Sequence, residues 1–235
     1  MNILAIDTST PLASIAVAVD EQVVAESLVN TNRSLSARLI PEIERLLISA
    51  GLTIAGIDLF ASSVGPGSFT GVRGGVATIQ GLALAVGKPC AGFSSLAMLA
   101  MNFSLSTTLI CPLLDARKSE VYGALYDCSH PIPFPRITDC VLSPAALLDR
   151  ITAMTGQPVI FAGEGALRYH DLIAERLGDQ AIFAPFPLHN IHAANGVLLA
   201  LHASHRGELL KPQQLLPVYL RASDAELMKI KAGLS

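Results

Sequence analysis

Apolar residues open the chain in short β-branched runs. Ile3-Leu4-Ala5-Ile6 is an unbroken apolar stretch, Ala13 to Val19 reads Ala-Ser-Ile-Ala-Val-Ala-Val, and after Asp20-Glu21-Gln22 the segment Val23 to Val29 turns back. Three such runs joined by polar turns predict a β-meander. The period then changes. Over about 35–50, Leu39, Ile43, Leu46, Leu47 and Ala50 fall on one face while Arg38, Glu42 and Arg45 lie elsewhere, which is the pattern of an amphipathic helix. Ser34 or Ser36 suits its N-cap and Gly51 its stop. Pro41 inside it predicts a kink or a late start. A strand at about 57–64, a glycine-rich turn, a helix at 70–86, a strand at 89–93 and a helix at 94–103 follow.

The second half repeats the order. Strands are expected at 108–115, 120–127 and 136–142, then a helix from Ser143-Pro144, with serine as N-cap and proline at the first helical position. A strand at 158–162, a helix at 164–177, a strand at 181–184 and a helix at 189–206 complete it. Ala5-Ile6-Asp7 matches Leu113-Leu114-Asp115, and Phe60 to Gly65 resembles Phe161 to Gly165. The pattern predicts an α/β fold of two tandem ribonuclease-H-like lobes in the actin-like ATPase architecture, an analogy of fold that assigns no function. Residues 1–106 form the first lobe and 107–211 the smaller second, with the boundary near Leu105–Thr108. Residues 212–235 return to the first lobe, because Pro217-Val218-Tyr219-Leu220 reads extended and apolar.

Composition narrows the partners. Charged residues are 15% of the 235, the net charge is −3 and the pI is near 6.0, so the chain lacks the basic excess of a protein that grips nucleic acid alone. Mean hydropathy is +0.50, and residues 89–114 carry no charge. Gly92, Ser94-Ser95, Asn102 and Pro112 interrupt that stretch, so it reads as buried core rather than as the ~20-residue apolar run of a membrane span. The N-terminus has no basic region or cleavage signal, and the expected location is the cytoplasm. Cys90, Cys111, Cys128 and Cys140 show no metal or redox spacing. Cys90 and Cys111 read as small buried hydrophobes.

The chemistry-bearing strings are few. Gly65-Pro66-Gly67-Ser68-Phe69-Thr70-Gly71-Val72-Arg73-Gly74 is a strand-to-helix turn in which Ser68 or Thr70 can cap the helix. It is either a tight structural turn or an anion site at a helix N-terminus. The Walker A lysine is missing, and Phe69 occupies the nucleophile position of a G-x-S-x-G elbow. On the helix that follows, Gly71, Gly74, Gly75, Thr78, Gly81 and Ala85 share a small-residue face beside an apolar stripe. A helix so apolar all round is covered on more than one side, by a second helix of the same chain or by a partner subunit. The partner reading makes Gly71, Gly74, Thr78 and Gly81, with Leu39 and Ile43 of the preceding helix, a docking face. Asp115-Ala116-Arg117-Lys118-Ser119-Glu120 is either a solvated hairpin with local ion pairs or the cleft wall opposite Asp7. The weaker cleft or anion-binding set is therefore Asp7, Ser68, Thr70, Arg73, Asp115 and Arg117. His189, His192, His202 and His205 point around a predicted helix in directions that do not converge on one ion, and no acidic ligand completes either pair. No metal and no catalytic residue is expected.

Ile3 to Thr10, the Gly65–Gly74 string, Asp115-Ala116-Arg117 with Glu120-Val121-Tyr122, and Pro217-Val218-Tyr219-Leu220-Arg221 occur in one order along nearly the whole chain. In this the chain resembles the TsaB (YeaZ) family of bacterial tRNA threonylcarbamoyladenosine biosynthesis proteins. The resemblance implies the two-lobed actin-like fold and a non-catalytic subunit that pairs with TsaD, its paralogue, which transfers threonylcarbamoyl to N6 of adenosine 37. It also implies the ATPase TsaE as a further partner and contact with tRNA only through the complex. The docking face serves TsaD first and, by default, a second copy of the chain. No cofactor is expected beyond weak nucleotide binding. The H-x-x-x-H pair of the catalytic paralogue is absent, and Leu35 stands where many relatives carry a histidine. The competing reading is an active enzyme, a metallopeptidase or an actin-like-fold kinase. The first needs ligands this chain lacks, and for the second Gly163-Glu164-Gly165 is the candidate adenosine motif.

Overall fold

The computed structural model describes residues 1–31 and 35–221. Ser34, a candidate cap, and positions 222–235 of the returning segment lie outside the described residues. The first meander is β1 (Asn2–Asp7), β2 (Leu12–Val19) and β3 (Gln22–Asn30), followed by α1 (Leu35–Ser49), β4 (Leu59–Gly65), α2 (Phe69–Val86), β5 (Cys90–Ser94) and α3 (Ser95–Ala100). The second half runs β6 (Leu109–Arg117), β7 (Glu120–Asp127), β8 (Phe134–Leu142), α4 (Pro144–Met154), β9 (Val159–Ala162), α5 (Glu164–Arg168), α6 (His170–Leu177), β10 (Ala181–Phe183) and α7 (Ala193–His205). Among the described residues these strands form two sheets, ordered β3-β2-β1-β4-β5 and β8-β7-β6-β9-β10. In each, the first three strands are antiparallel and the last two join in parallel. Equal order and equal sense make the repeat a duplication of architecture: two ribonuclease-H-like lobes of the actin-like fold.

Alternation along the central strands explains the layering. Leu4, Ile6, Ile15, Val17 and Phe60 face a core shared with α1 and α2. Ile3, Ala5, Ala16, Ala18, Ala61 and Ala91 face the other way. Side chains on a strand point to opposite faces in turn, so one sheet carries a large-residue face and an alanine face. The alanine face admits α7, whose Ala193, Gly196, Val197 and Ala200 are buried. α7 follows the second sheet in sequence yet packs on β1, β2 and β5 of the first, while α3 packs on β6 and β7 as well as β4 and β5. One apolar core therefore joins the two sheets through α3 and α7. Ser94 caps α3 by accepting from the Leu96 and Ala97 amides and donates to Asp139 of β8, whose other oxygen accepts from Tyr126 at 2.7 Å.

Local expectations meet the structure unevenly. Gly51 (φ +68) closes α1 as expected, with Leu52 N–H donating to Leu47 O at 2.9 Å. α1 starts at Leu35, ahead of Pro41, and Ser36 falls inside it rather than capping it. Ser143 caps α4 by accepting from Ala146 N–H at 3.3 Å. The helix expected at 164–177 breaks at Tyr169 (φ −108, ψ 23) into α5 and α6. The helix expected at 189–206 begins only at Ala193, because 186–189 form a short 3-10 turn. Beyond α7 the chain runs back over the first sheet's outer layer. Leu210 bridges Cys90, Gln80 Nε2 donates to Pro212 O (3.1 Å) and Leu215 O (2.7 Å), and Val218 N–H donates to Val64 O (2.8 Å).

Candidate functional site

The glycine string serves close packing. Ser68 caps α2 by accepting from Gly71 N–H at 3.3 Å. A Cβ on Gly71 would stand 2.0 Å from Thr8 O, and one on Gly67 would stand 2.5 Å from Ser9 O. The first turn of α2 thus lies directly on the backbone that leaves β1, and Thr8 Oγ1 donates to Gly71 O at 2.7 Å. The second lobe repeats the device, with Gly163 and Gly165 against Leu113. In the candidate adenosine motif Gly163 and Gly165 pack against Leu113, and Gly163 also against Leu99, while Glu164 between them is exposed.

Between the lobes lies a cleft of about 340 Å³, whose lining includes Ser9, Ser68, Phe69 and Thr70 on one side and Asp115, Arg117, Tyr122 and Glu164 on the other. Asp115 takes the Arg117 amide at 3.0 Å on one oxygen and Arg168 Nη1 at 3.1 Å on the other. Arg117, Lys118 and Ser119 turn the hairpin tip with φ of 64, 52 and 59°. Glu164 opens to solvent at the rim, yet the surrounding chain desolvates its carboxyl and raises its pKa. In the sequence Glu164 stands only as the middle of the Gly163-Glu164-Gly165 motif and not in the cleft set; its place at the start of the helix after Gly163 is the available signal.

Two members of the expected cleft set are elsewhere. Asp7 ends β1 but is 0% exposed and does not line the cleft. Burial raises its pKa, while the hydroxyls of Ser63, Ser9 and Ser95 oppose the shift. Its Oδ2 accepts from Ser9 Oγ at 3.1 Å, whereas Oδ1 and the neighbouring Ser63 and Ser95 hydroxyl oxygens have no partner in hydrogen-bond geometry. Arg73 lies over the Phe69 ring at 3.8 Å, and its Nε donates to Tyr219 Oη at 2.6 Å.

The expected docking set divides as well. Leu39 and Ile43 are each 3% exposed and belong to the core under α1, so Leu39 backs the surface and Ile43 reaches only the floor of a groove beside it. Gly71 is spent on Thr8, and Gly74 lets Leu35 of α1 approach, with Leu35 Cδ2 2.8 Å from where a Cβ would be. Thr78 Oγ1 donates to Gly74 O at 2.8 Å, and Gly81 faces open space. On α1 and α2, Ile40, Ile48 (70% exposed) and Leu84 (58% exposed) are the large apolar side chains that reach solvent. Beside them a groove of about 350 Å³ runs between α1 and α2, lined by Ile43, Leu47, Leu52 and Leu82 among others. By length and composition α2 is apolar enough to cross a bilayer, and its inner residues Val72, Val76, Ile79 and Ala83 pack on the sheet.

Two of the histidines, His189 and His192, make contacts that hold the fold. His189 Nδ1 accepts from Gly163 N–H at 3.1 Å, and His192 pairs with Glu26 at 3.4 Å. Among the described residues no three His, Cys, Asp or Glu side chains gather into a metal-binding group. Burial pushes the Cys90 thiol up to about 11 and the Cys128 thiol up to about 12, which leaves both as inert thiols at neutral pH.

Known proteins resemble this chain along its length. The family model described as TsaD, tRNA N6-adenosine threonylcarbamoyltransferase, matches residues 22–228. The tRNA threonylcarbamoyladenosine biosynthesis protein TsaB of Bacillus subtilis is 30% identical, over 99% of both chains. That of Escherichia coli is 33% identical, over 94% of this chain and 95% of its own. The solved structure of YeaZ from Pseudomonas aeruginosa superposes with a TM-score of 0.78 at 30% identity, covering 93% of this chain and 99% of that one.

Proposed function

The chain belongs to the TsaB family of tRNA threonylcarbamoyladenosine biosynthesis proteins, and from that premise we propose that it takes part in that synthesis as a non-catalytic subunit docking TsaD. The docking face is the outer side of α2 around Thr78, Gly81 and Leu84, with Ile40 and Ile48 of α1. The observation that carries this reading is the exposure of Leu84 and Ile48 beside an open Gly81 on a helix with almost no charge. Such an apolar patch marks an interaction surface, and small residues let a partner helix approach closely.

The sealed Asp7 supports a subunit without its own chemistry, since a carboxyl closed off from the cleft has no ligand to act on. In this reading TsaE joins the TsaD-bound assembly, tRNA is met through the complex, no resident cofactor is needed, and the work is cytoplasmic. Without TsaD the same face pairs two copies of the chain.

The test is Gly81→Arg, with Thr78→Arg as its neighbour. Arginine at 81 meets open space and raises helix propensity, so the variant folds. Burying its unpaired charge under a partner costs several kcal/mol, so TsaD affinity falls ~100-fold or more. Reconstituted tRNA modification falls with it. Wild-type affinity in Gly81→Arg would place the docking face elsewhere.

A further inference from the structure

The last described residues, Pro217 to Arg221, cross the mouth of the cleft. Their first-lobe end is held three times: Val218 N–H on Val64 O at 2.8 Å, the Tyr219 ring on Phe69 at 4.8 Å, and Tyr219 Oη under Arg73. Two residues on, Arg221 Nη1 donates to Glu120 Oε2 at 2.6 Å, and Glu120 opens β7 of the second lobe. Arg221 itself lines the cleft. We propose that Pro217–Arg221 is a strap across the cleft and that the Arg221–Glu120 pair is a releasable latch holding the two lobes at this opening.

The placement of forces argues for it. Behind the cleft the lobes share an apolar core through α3 and α7, which acts as the hinge side. At the mouth polar groups face each other, Thr70 and Ser9 against Asp115 and Arg117, with Pro11, Phe69 and Leu114 also in the lining. The strap's contact with Glu120 is an ion pair that spans this side. Arg221 and Glu120 are 22% and 36% exposed, so water and salt reach the pair. An accessible single-bonded ion pair is weak and screened, whereas the first-lobe end rests on stacking and a backbone hydrogen bond. The latch is therefore the link that yields first, and it yields without disturbing either core.

The full chain, spin-labelled at Glu21→Cys and Asp179→Cys in a Cys140→Ser background, reports the opening as an inter-lobe distance distribution. Glu120→Gln and Arg221→Gln are each expected to broaden and shift it, and about 1 M NaCl to do the same to the unlatched-competent parent. The exchange Glu120→Arg with Arg221→Glu restores the parent distribution. An unchanged distribution in both single variants overturns the proposal. So does a shift that the exchange fails to reverse, because the two residues then act through other contacts. Should a variant fail to fold by circular dichroism, the salt titration of the parent decides alone, and no response to salt overturns the latch.

Discussion

Glu26 of β3 and His192 at the head of α7 pair at 3.4 Å, joining the first sheet to a helix that arrives some 160 residues later in the chain. The same carboxylate accepts from Ala194 N–H at 3.2 Å, and Ser14 Oγ accepts from Ala193 N–H at 2.7 Å. The free amides that begin α7 are thus satisfied by side chains of two strands rather than by a residue beside them in sequence. A carboxylate at a helix N-terminus also meets the favourable end of the helix dipole.

This pair makes stability depend on pH. Burial raises the Glu26 pKa, but the His192 bond, the Ala194 amide and Ser14 outweigh it and hold it below the usual 4.5. The Glu26 bond raises the His192 pKa above 6.5 against partial desolvation. Glu26 therefore stabilises above pH 4.5, and its contribution fades as pH falls through the lowered folded value. His192 stabilises below pH 6.5, and its contribution fades as pH rises through the raised one. Both side chains are partly exposed, so the pair is worth ~1 kcal/mol or less. The melting-temperature difference between parent and His192→Gln should be largest between pH 4.5 and 6.5 and shrink on either side.

Asp7→Asn should leave the protein as stable or more stable at neutral pH. A buried carboxyl with a raised pKa favours folding below its unfolded value of 3.8, and that contribution is lost as pH rises through the folded value. Asparagine stays neutral and offers N–H donors to the unpartnered Ser63 and Ser95 oxygens. Urea unfolding from acid to neutral pH should show a flatter stability curve for the variant. A loss of several kcal/mol at neutral pH would mean that the charged form is the native one.

Gly71→Ala and Gly81→Ala should move stability in opposite directions. At 71 the new Cβ would stand 2.0 Å from Thr8 O, and α2 would have to lift from the strand end, at a cost of ~2 kcal/mol or more. At 81 it would meet nothing within 4 Å, and the gain in helix propensity is ~0.5–1 kcal/mol. Chemical denaturation of the two variants separates them, and equal effects would contradict the packing assigned to the turn.

Most of the architecture was legible because it is written in local period. The runs at Ile3 and Ala13, the helical spacing from Leu39 to Leu47, the Ser143-Pro144 start and the Gly51 stop each constrain the backbone within a few residues. The duplicated order then follows from counting elements. The break at Tyr169 and the late start at Ala193 carry no such local signal, and at Ala193 side chains of distant strands, Ser14 and Glu26, take the first amides of the helix.

The site was harder, since exposure is not a property of a residue's neighbours in sequence. Asp7 ends β1 and Asp115 lies two residues before the end of β6, yet one is sealed and the other lines the cleft. Gly71 and Gly81 lie on one helical face, yet one rests on Thr8 and the other faces solvent. By itself the sequence determined which segments are strands and helices, that the order is duplicated, and which side chains are small enough to be approached. Only the tertiary structure decided what approaches them, because the crossing of α3 and α7 between the sheets and the return of the tail over α2 bring together residues whose contact no local period encodes.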